Sequence, residues 1–85
     1  MKGLVFMMDK IMIKVDNIDD ILLFNKTMSQ FNGEAKLVKG KYRCDAKSLM
    51  GLLAIDTSEP TIVEFDLNDR AELLNLVKPF IYTEK

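Results

Sequence analysis

Cys44-Asp45-Ala46-Lys47-Ser48-Leu49-Met50-Gly51-Leu52-Leu53 changes character at Ser48. Before it, Lys41 to Cys44 reads as a short extended run; after it, the chain reads as a short helix reaching Leu53 or Ile55. Ser48 suits the boundary because its hydroxyl accepts from a first-turn N–H that has no partner inside the helix. Asp56 to Pro60 follows as loop.

On the N-terminal side, Ala35 to Val38 reads as a second extended run, joined to Lys41–Cys44 by a hairpin turn at Lys39-Gly40. Further back, Ile21, Phe24, Met28 and Phe31 fall three, four and three residues apart, lining one face of a helix between Ile18 and Phe31. Asn17 is its expected N-cap, Asp20 the reciprocal acid of a capping box, and Asn32-Gly33 a left-handed stop. Lys10 to Val15 places Ile11, Ile13 and Val15 at period two, the mark of a strand with one apolar face.

On the C-terminal side, Thr61-Ile62-Val63-Glu64-Phe65 is β-branched and aromatic, hence a fourth strand. Leu73, Leu76, Val77 and Phe80 repeat at helical spacing across Asp69–Phe80, with Asn68 or Asp69 as cap. Pro79 lacks an N–H donor and is expected to end or kink that helix. The order βαββαβα predicts an α+β open-faced β-sandwich: a four-stranded antiparallel sheet covered on one face by three helices, in a single domain spanning residues 1–85.

Composition limits the function. With 85 residues and 48% hydrophobic content, one small core is expected, burying about 60% of the unfolded chain's surface. Lys+Arg 12 against Asp+Glu 13 leaves a net charge of −1, so no global field draws the chain to nucleic acid or to an anionic membrane. The run Leu4 to Met8 is too short for a membrane span, and Asp9 ends it. One cysteine, Cys44, excludes an internal disulfide and is read as a small buried hydrophobe; a cytoplasmic protein is expected, without cofactor or metal. Met7 and Met8 offer a later translation start that would make Met1–Val5 dispensable.

The segment Ala46-Lys47-Ser48-Leu49-Met50-Gly51-Leu52 resembles the regulatory-serine signature of HPr, the histidine phosphocarrier family of the sugar phosphotransferase system. Phe31 is similar to the aromatic ending that family's first helix, and Gly40-Lys41 to its hairpin turn, with the glycine one position displaced. The predicted element order is also the family's. The resemblance implies the HPr fold, a carrier rather than an enzyme, and protein partners: HPr kinase, a transcriptional regulator or phosphotransferase-system components. Counted back from Phe31, the phosphoryl-accepting histidine should fall at Asn17, and the Ala-Arg-Pro after it at Ile18, Asp19 and Asp20. The 85 residues contain no histidine.

An amide nitrogen is not nucleophilic, so Asn17 cannot relay a phosphoryl group. Asp16, Asp19 and Asp20 as acyl-phosphate carriers would crowd three negative charges against an incoming phosphate; acids opposing a helix dipole is the simpler reading. What the resemblance leaves is Ser48 as a regulatory phosphorylation site, with the helix-cap role standing beside it. Five cations (Lys36, Lys39, Lys41, Arg43, Lys47) against Glu34 and Asp45 give +3 across residues 34–47. Arg43, Lys47, Leu49, Met50 and Leu53 are the expected partner-binding residues, with Leu52 assigned to the core and Leu49 open to either role. Asp19 stands where the family's arginine would engage its partners, and an acid there is unfavourable to them. An HPr-fold interaction domain unconnected to sugar transport is the alternative.

Overall fold

The computed structural model describes residues 7–83. The elements are β1 (Met8–Ile13), α1 (Ile18–Met28), β2 (Ala35–Lys39), β3 (Tyr42–Asp45), α2 (Leu49–Ala54), β4 (Thr61–Asp66) and α3 (Arg70–Val77), with 3-10 turns at Leu67–Asp69 and Lys78–Phe80. The strands form one antiparallel sheet in the order β1-β4-β2-β3. The expected α+β open-faced sandwich is the observed architecture. The Met1–Val5 segment, expected to be dispensable, lies outside the described residues.

Period two sorts the sheet residues as the sequence requires. Ile13, Ala35, Leu37, Val63 and Phe65 point to the core, where they meet Ile21, Phe24 and Met28 of α1, Leu52 of α2, and Leu73 and Val77 of α3. Register places Lys10, Glu64, Lys36 and Asp45 side by side on the other face, alternating in sign across the sheet. Arg43 adds an ion pair to Glu64 at 2.9 Å on that face. The next row on that face is apolar, Met12 beside Ile62 beside Val38, with Met12 exposed, so the open side mixes charged and apolar residues.

Several local expectations are corrected. α1 stops at Met28, and Phe31 reaches the core from the turn that follows. That turn is right-handed: Ser29 caps with φ −67°, Gln30 N–H donates to Thr27 O, and Phe31 N–H donates to Met28 O. The only positive φ among the described residues belongs to Gly40, so Gly33 is not a left-handed stop. Gly33 is crowded instead: a Cβ there would lie 2.5 Å from Asp69 Oδ2 and 2.8 Å from the Phe31 ring, so those side chains would have to shift to admit one. Lys39 pairs with Tyr42, which moves the two-residue hairpin loop to Gly40-Lys41. Gly40 has φ +59° and Lys41 is not positive, the pattern of a type II′ turn.

β1 begins at Met8 and ends at Ile13, leaving Val15 buried just beyond it. The final helix is broken into a 3-10 turn, α3 and a second 3-10 turn. Asp69 holds the N-cap position of α3, as expected, but makes no side-chain cap bond; Asp66 caps the 3-10 turn before it, accepting from Asn68 N–H at 2.9 Å. Pro79 lies in the closing 3-10 turn, where its missing donor ends α-helical bonding at Val77, although Lys78 before it keeps helical dihedrals (φ −42°, ψ −48°). Phe80 is thereby turned inward, and its carbonyl accepts from Lys14 N–H at 2.8 Å, tying the chain's end to the end of β1.

The carboxyls of Asp9 and Asp56 titrate below the ordinary carboxylate range. The main cause is a backbone N–H donated by Lys10 and by Ser58 respectively; Arg70 also pairs with Asp9. A lowered folded-state pKa contributes stability above the unfolded value of about 4 and loses it as pH falls through the folded value. Burial pushes the Cys44 thiol upward, away from neutrality, and no histidine titrates near it. The urea midpoint is therefore expected to stay flat from about pH 5.5 to 7 and to fall below about pH 4.5. A midpoint that moves between pH 6 and 7 would contradict this assignment of charges.

Candidate functional site

Two helix starts and the surface between them make up the site. At the first, Asn17 has extended backbone (φ −150°, ψ 177°), and its side-chain oxygen accepts from Asp20 N–H at 2.9 Å. The expected reciprocal bond is made one residue earlier: Asp20 Oδ2 accepts from Asp16 N–H at 3.1 Å, not from Asn17. Asp16 in turn pairs with Lys14 Nζ at 2.7 Å, and that ammonium also donates to Thr57 O. Asp19 is exposed and has no side-chain hydrogen bond or ion pair among the described residues. Among these residues no group of three or more His, Cys, Asp or Glu is gathered in a way that could hold a metal ion.

At the second start, Ser48 Oγ accepts from Gly51 N–H at 3.1 Å, as expected of the cap of α2. The helix lies close against β3. A Cβ on Gly51 would stand 2.7 Å from Cys44 Sγ, and Tyr42 Oη donates to Gly51 O at 3.1 Å. Cys44 is accordingly half-buried, less enclosed than the sequence suggests, because β3 is an edge strand. Lys47 N–H donates to Asp45 Oδ1, while its ammonium sits 5.7 Å from the centre of the Phe31 ring.

The partner-binding set divides. Met50 is 78% exposed and Leu53 48%, whereas Leu52 is in the core and Leu49 packs half-buried against it. Leu49 thus contributes less surface than expected, because the first turn of α2 leans on the core. Arg43 lies on the open face of the sheet, paired with Glu64, and so is separated from the exposed side of α2.

Asn25 Nδ2 donates to Lys47 O at 3.0 Å, joining α1 to the segment that opens α2. Ile18, Leu22 and Leu23 of α1 are 54%, 47% and 52% exposed. At about 100° per residue, Ile18 and Leu22 fall on the side of α1 where Asn25 meets the α2 segment, whereas Leu23 falls on the far side. Sequence reasoning missed this exposed apolar set. The available signal was three large apolar residues lying off the Ile21–Phe24–Met28 stripe.

No helix among the described residues is long and apolar enough to cross a membrane. No protein-family model matches the chain. Two curated proteins, the phosphocarrier proteins HPr of Neisseria meningitidis serogroups A and B, are each 32% identical over 60 residues, covering 68% of this chain and 67% of the relative. Among solved structures, HPr from Bacillus anthracis aligns with TM-score 0.68 at 20% identity, covering 91% of this chain and 98% of that one. HPr-C-His from Thermoanaerobacter tengcongensis aligns with TM-score 0.64 at 23% identity, covering 86% and 88%. The solved structures establish the fold, and the Neisseria relatives carry the likeness into sequence across two thirds of both chains: the protein belongs to the HPr family of phosphocarrier proteins.

Proposed function

We propose that this HPr-family chain does not carry phosphate on histidine and acts as a non-catalytic, protein-binding regulatory module switched at Ser48. The observation that carries the reading is Asn17, which occupies the position assigned to the phosphoryl acceptor and spends its side-chain oxygen on capping α1. A capping amide stabilises the helix and has no lone pair suited to attack on phosphorus. The absence of histidine from the 85 residues leaves no substitute imidazole.

Ser48 supplies the switch. Its oxygen already faces the unpaired N–H groups of α2, so phosphate oxygens would take over acceptance from Gly51 N–H with a larger charge. The docking residues are Lys47, Met50 and Leu53, with Leu49 at the base of the patch; Arg43, on the open face of the sheet, stands apart from it. Partners of the phosphotransferase-system type, including HPr kinase and a transcriptional regulator, fit a surface that is apolar at its centre.

The test is incubation with a bacterial HPr kinase and ATP, read by intact mass. One added phosphate on the wild-type chain, absent from Ser48→Ala, is the expected result; a chain that takes no phosphate overturns the switch. Ser48→Ala should also lower stability by about 1 kcal/mol through loss of the cap, checked by urea unfolding.

A further inference from the structure

Of the five asparagines, Asn32 alone is followed by glycine; Asn17, Asn25, Asn68 and Asn75 precede Ile18, Lys26, Asp69 and Leu76. Asn32 lies exposed in the segment between α1 and β2. Its main-chain N–H donates to Glu72 Oε2 at 3.2 Å and its side-chain amide donates to the same oxygen at 3.5 Å, tying this segment to α3. The Gly33 N–H, by contrast, donates to no acceptor among the described residues. We propose that Asn32-Gly33 is a site of spontaneous deamidation, and that the carboxylate it creates turns the tie to α3 into a repulsion.

The nitrogen that acts is the Gly33 amide. Once its proton is lost to water, it attacks Asn32 Cγ; the Cγ–Nδ2 bond breaks, ammonia leaves with the proton, and a succinimide joins the two residues. Water then opens the ring at one of its two carbonyls, giving aspartate or isoaspartate at position 32. The sum is one side-chain amide and one water exchanged for one carboxylate and one ammonium ion. Glycine favours ring closure because it has no Cβ to hinder the approach and its backbone turns freely. Its unbonded N–H favours closure too, since no hydrogen bond has to break before the nitrogen moves. Asn25 and Asn75 lack both advantages, because the N–H groups after them lie inside α1 and α3. Asn17 has its side-chain oxygen committed to Asp20 N–H.

The product faces acids. An oxygen replaces the Nδ2 donor opposite Glu72, and near neutral pH neither carboxyl holds a proton to share. Asp69 stands close by, its Oδ2 2.5 Å from where a Cβ on Gly33 would lie, and Arg70 beside it is already paired with Asp9. Isoaspartate also lengthens the main chain by a methylene next to Phe31, whose ring shares that crowding and is buried in the core.

The experiment ages the full chain in native buffer near neutral pH and follows it by anion exchange and peptide mass mapping. A more acidic species, heavier by about 1 Da, should accumulate with the change at position 32 and with isoaspartate among the products. Its rate should exceed that at each of the other four asparagines by at least about tenfold. Asn32→Gln should abolish it. Asn32→Asp, standing for the product, should unfold at a lower urea midpoint than both the wild type and Asn32→Gln at neutral pH. Deamidation at position 32 no faster than at Asn17 or Asn68 overturns the site, as does an acidic species that persists in Asn32→Gln. An Asn32→Asp midpoint equal to or above that of the wild type overturns the repulsion with α3.

Discussion

Phe24→Ala is expected to lower the unfolding free energy by about 3–5 kcal/mol, the largest stability effect of any single substitution proposed for this protein. Phe24 has no exposed surface, and its ring meets Phe80 edge to face, with centroids 5.2 Å apart and planes at 86°. Removing the ring forfeits its transfer free energy, leaves a cavity, and strips Phe80 of an edge contact worth about 0.5–1.5 kcal/mol. The loss spreads because Phe80 anchors the chain's end: its carbonyl holds Lys14 N–H, and the neighbouring Ile81 bridges Ile13. A domain of this size has roughly 5–10 kcal/mol to lose, so the variant should lie close to unfolding. Urea denaturation monitored by circular dichroism measures the effect, with Met50→Ala as the exposed control expected within about 0.5 kcal/mol of wild type. A Phe24→Ala cost below about 1.5 kcal/mol would mean that the α1 face does not pack as described.

The same stripe explains why the fold was readable. Ile21, Phe24 and Met28 recur at helical period, Val63 and Phe65 at strand period, and Ser48 and Asn17 mark helix starts by a hydrogen bond that the sequence itself foreshadows. What escaped was decided by contacts between distant segments. Gly33 looks like a helix stop, yet its value is the space it leaves for Asp69, thirty-six residues away in sequence. Leu49 and Met50 are adjacent and chemically alike, and it is the way α2 packs on the core, with Leu49 on the side of buried Leu52, that leaves one half-buried and the other exposed.

The site was legible in the same uneven way. Ser48 was found because a cap is a local event, and the loss of imidazole chemistry was visible in composition alone. The α1 contribution was not found, because Ile18, Leu22 and Leu23 count toward apolar content whether they face in or out. Their exposure follows from the Ile21–Phe24–Met28 stripe already facing the core. Periodicity identifies the buried face of a helix and leaves open whether apolar residues on the other face serve a partner.

Enzyme I charged with phosphoenolpyruvate is expected to leave the wild-type chain unlabelled and to label Asn17→His/Asp19→Arg at least about tenfold faster than Asn17→His alone. The single variant restores a nucleophile but keeps a carboxylate two residues away, in the first turn of α1. At a separation of about 5 Å in water, two unit charges interact by roughly 0.8 kcal/mol, and a phosphoryl group brings nearly two charges. Replacing a repulsive carboxylate by an attractive guanidinium therefore changes the interaction by about 3 kcal/mol before screening. Salt and side-chain mobility leave roughly half, or about 1.5 kcal/mol, which is close to tenfold in rate. The arginine also offers a planar pair of donors to phosphate oxygens, so Asp19→Lys on the same background should recover less. Autoradiography or intact mass over a time course distinguishes the cases. Labelling of the wild type at an appreciable rate would place the acceptor on a residue other than histidine and overturn the proposal for Asn17. Equal rates for the single and double variants would show that the acid at position 19 does not oppose phosphoryl transfer.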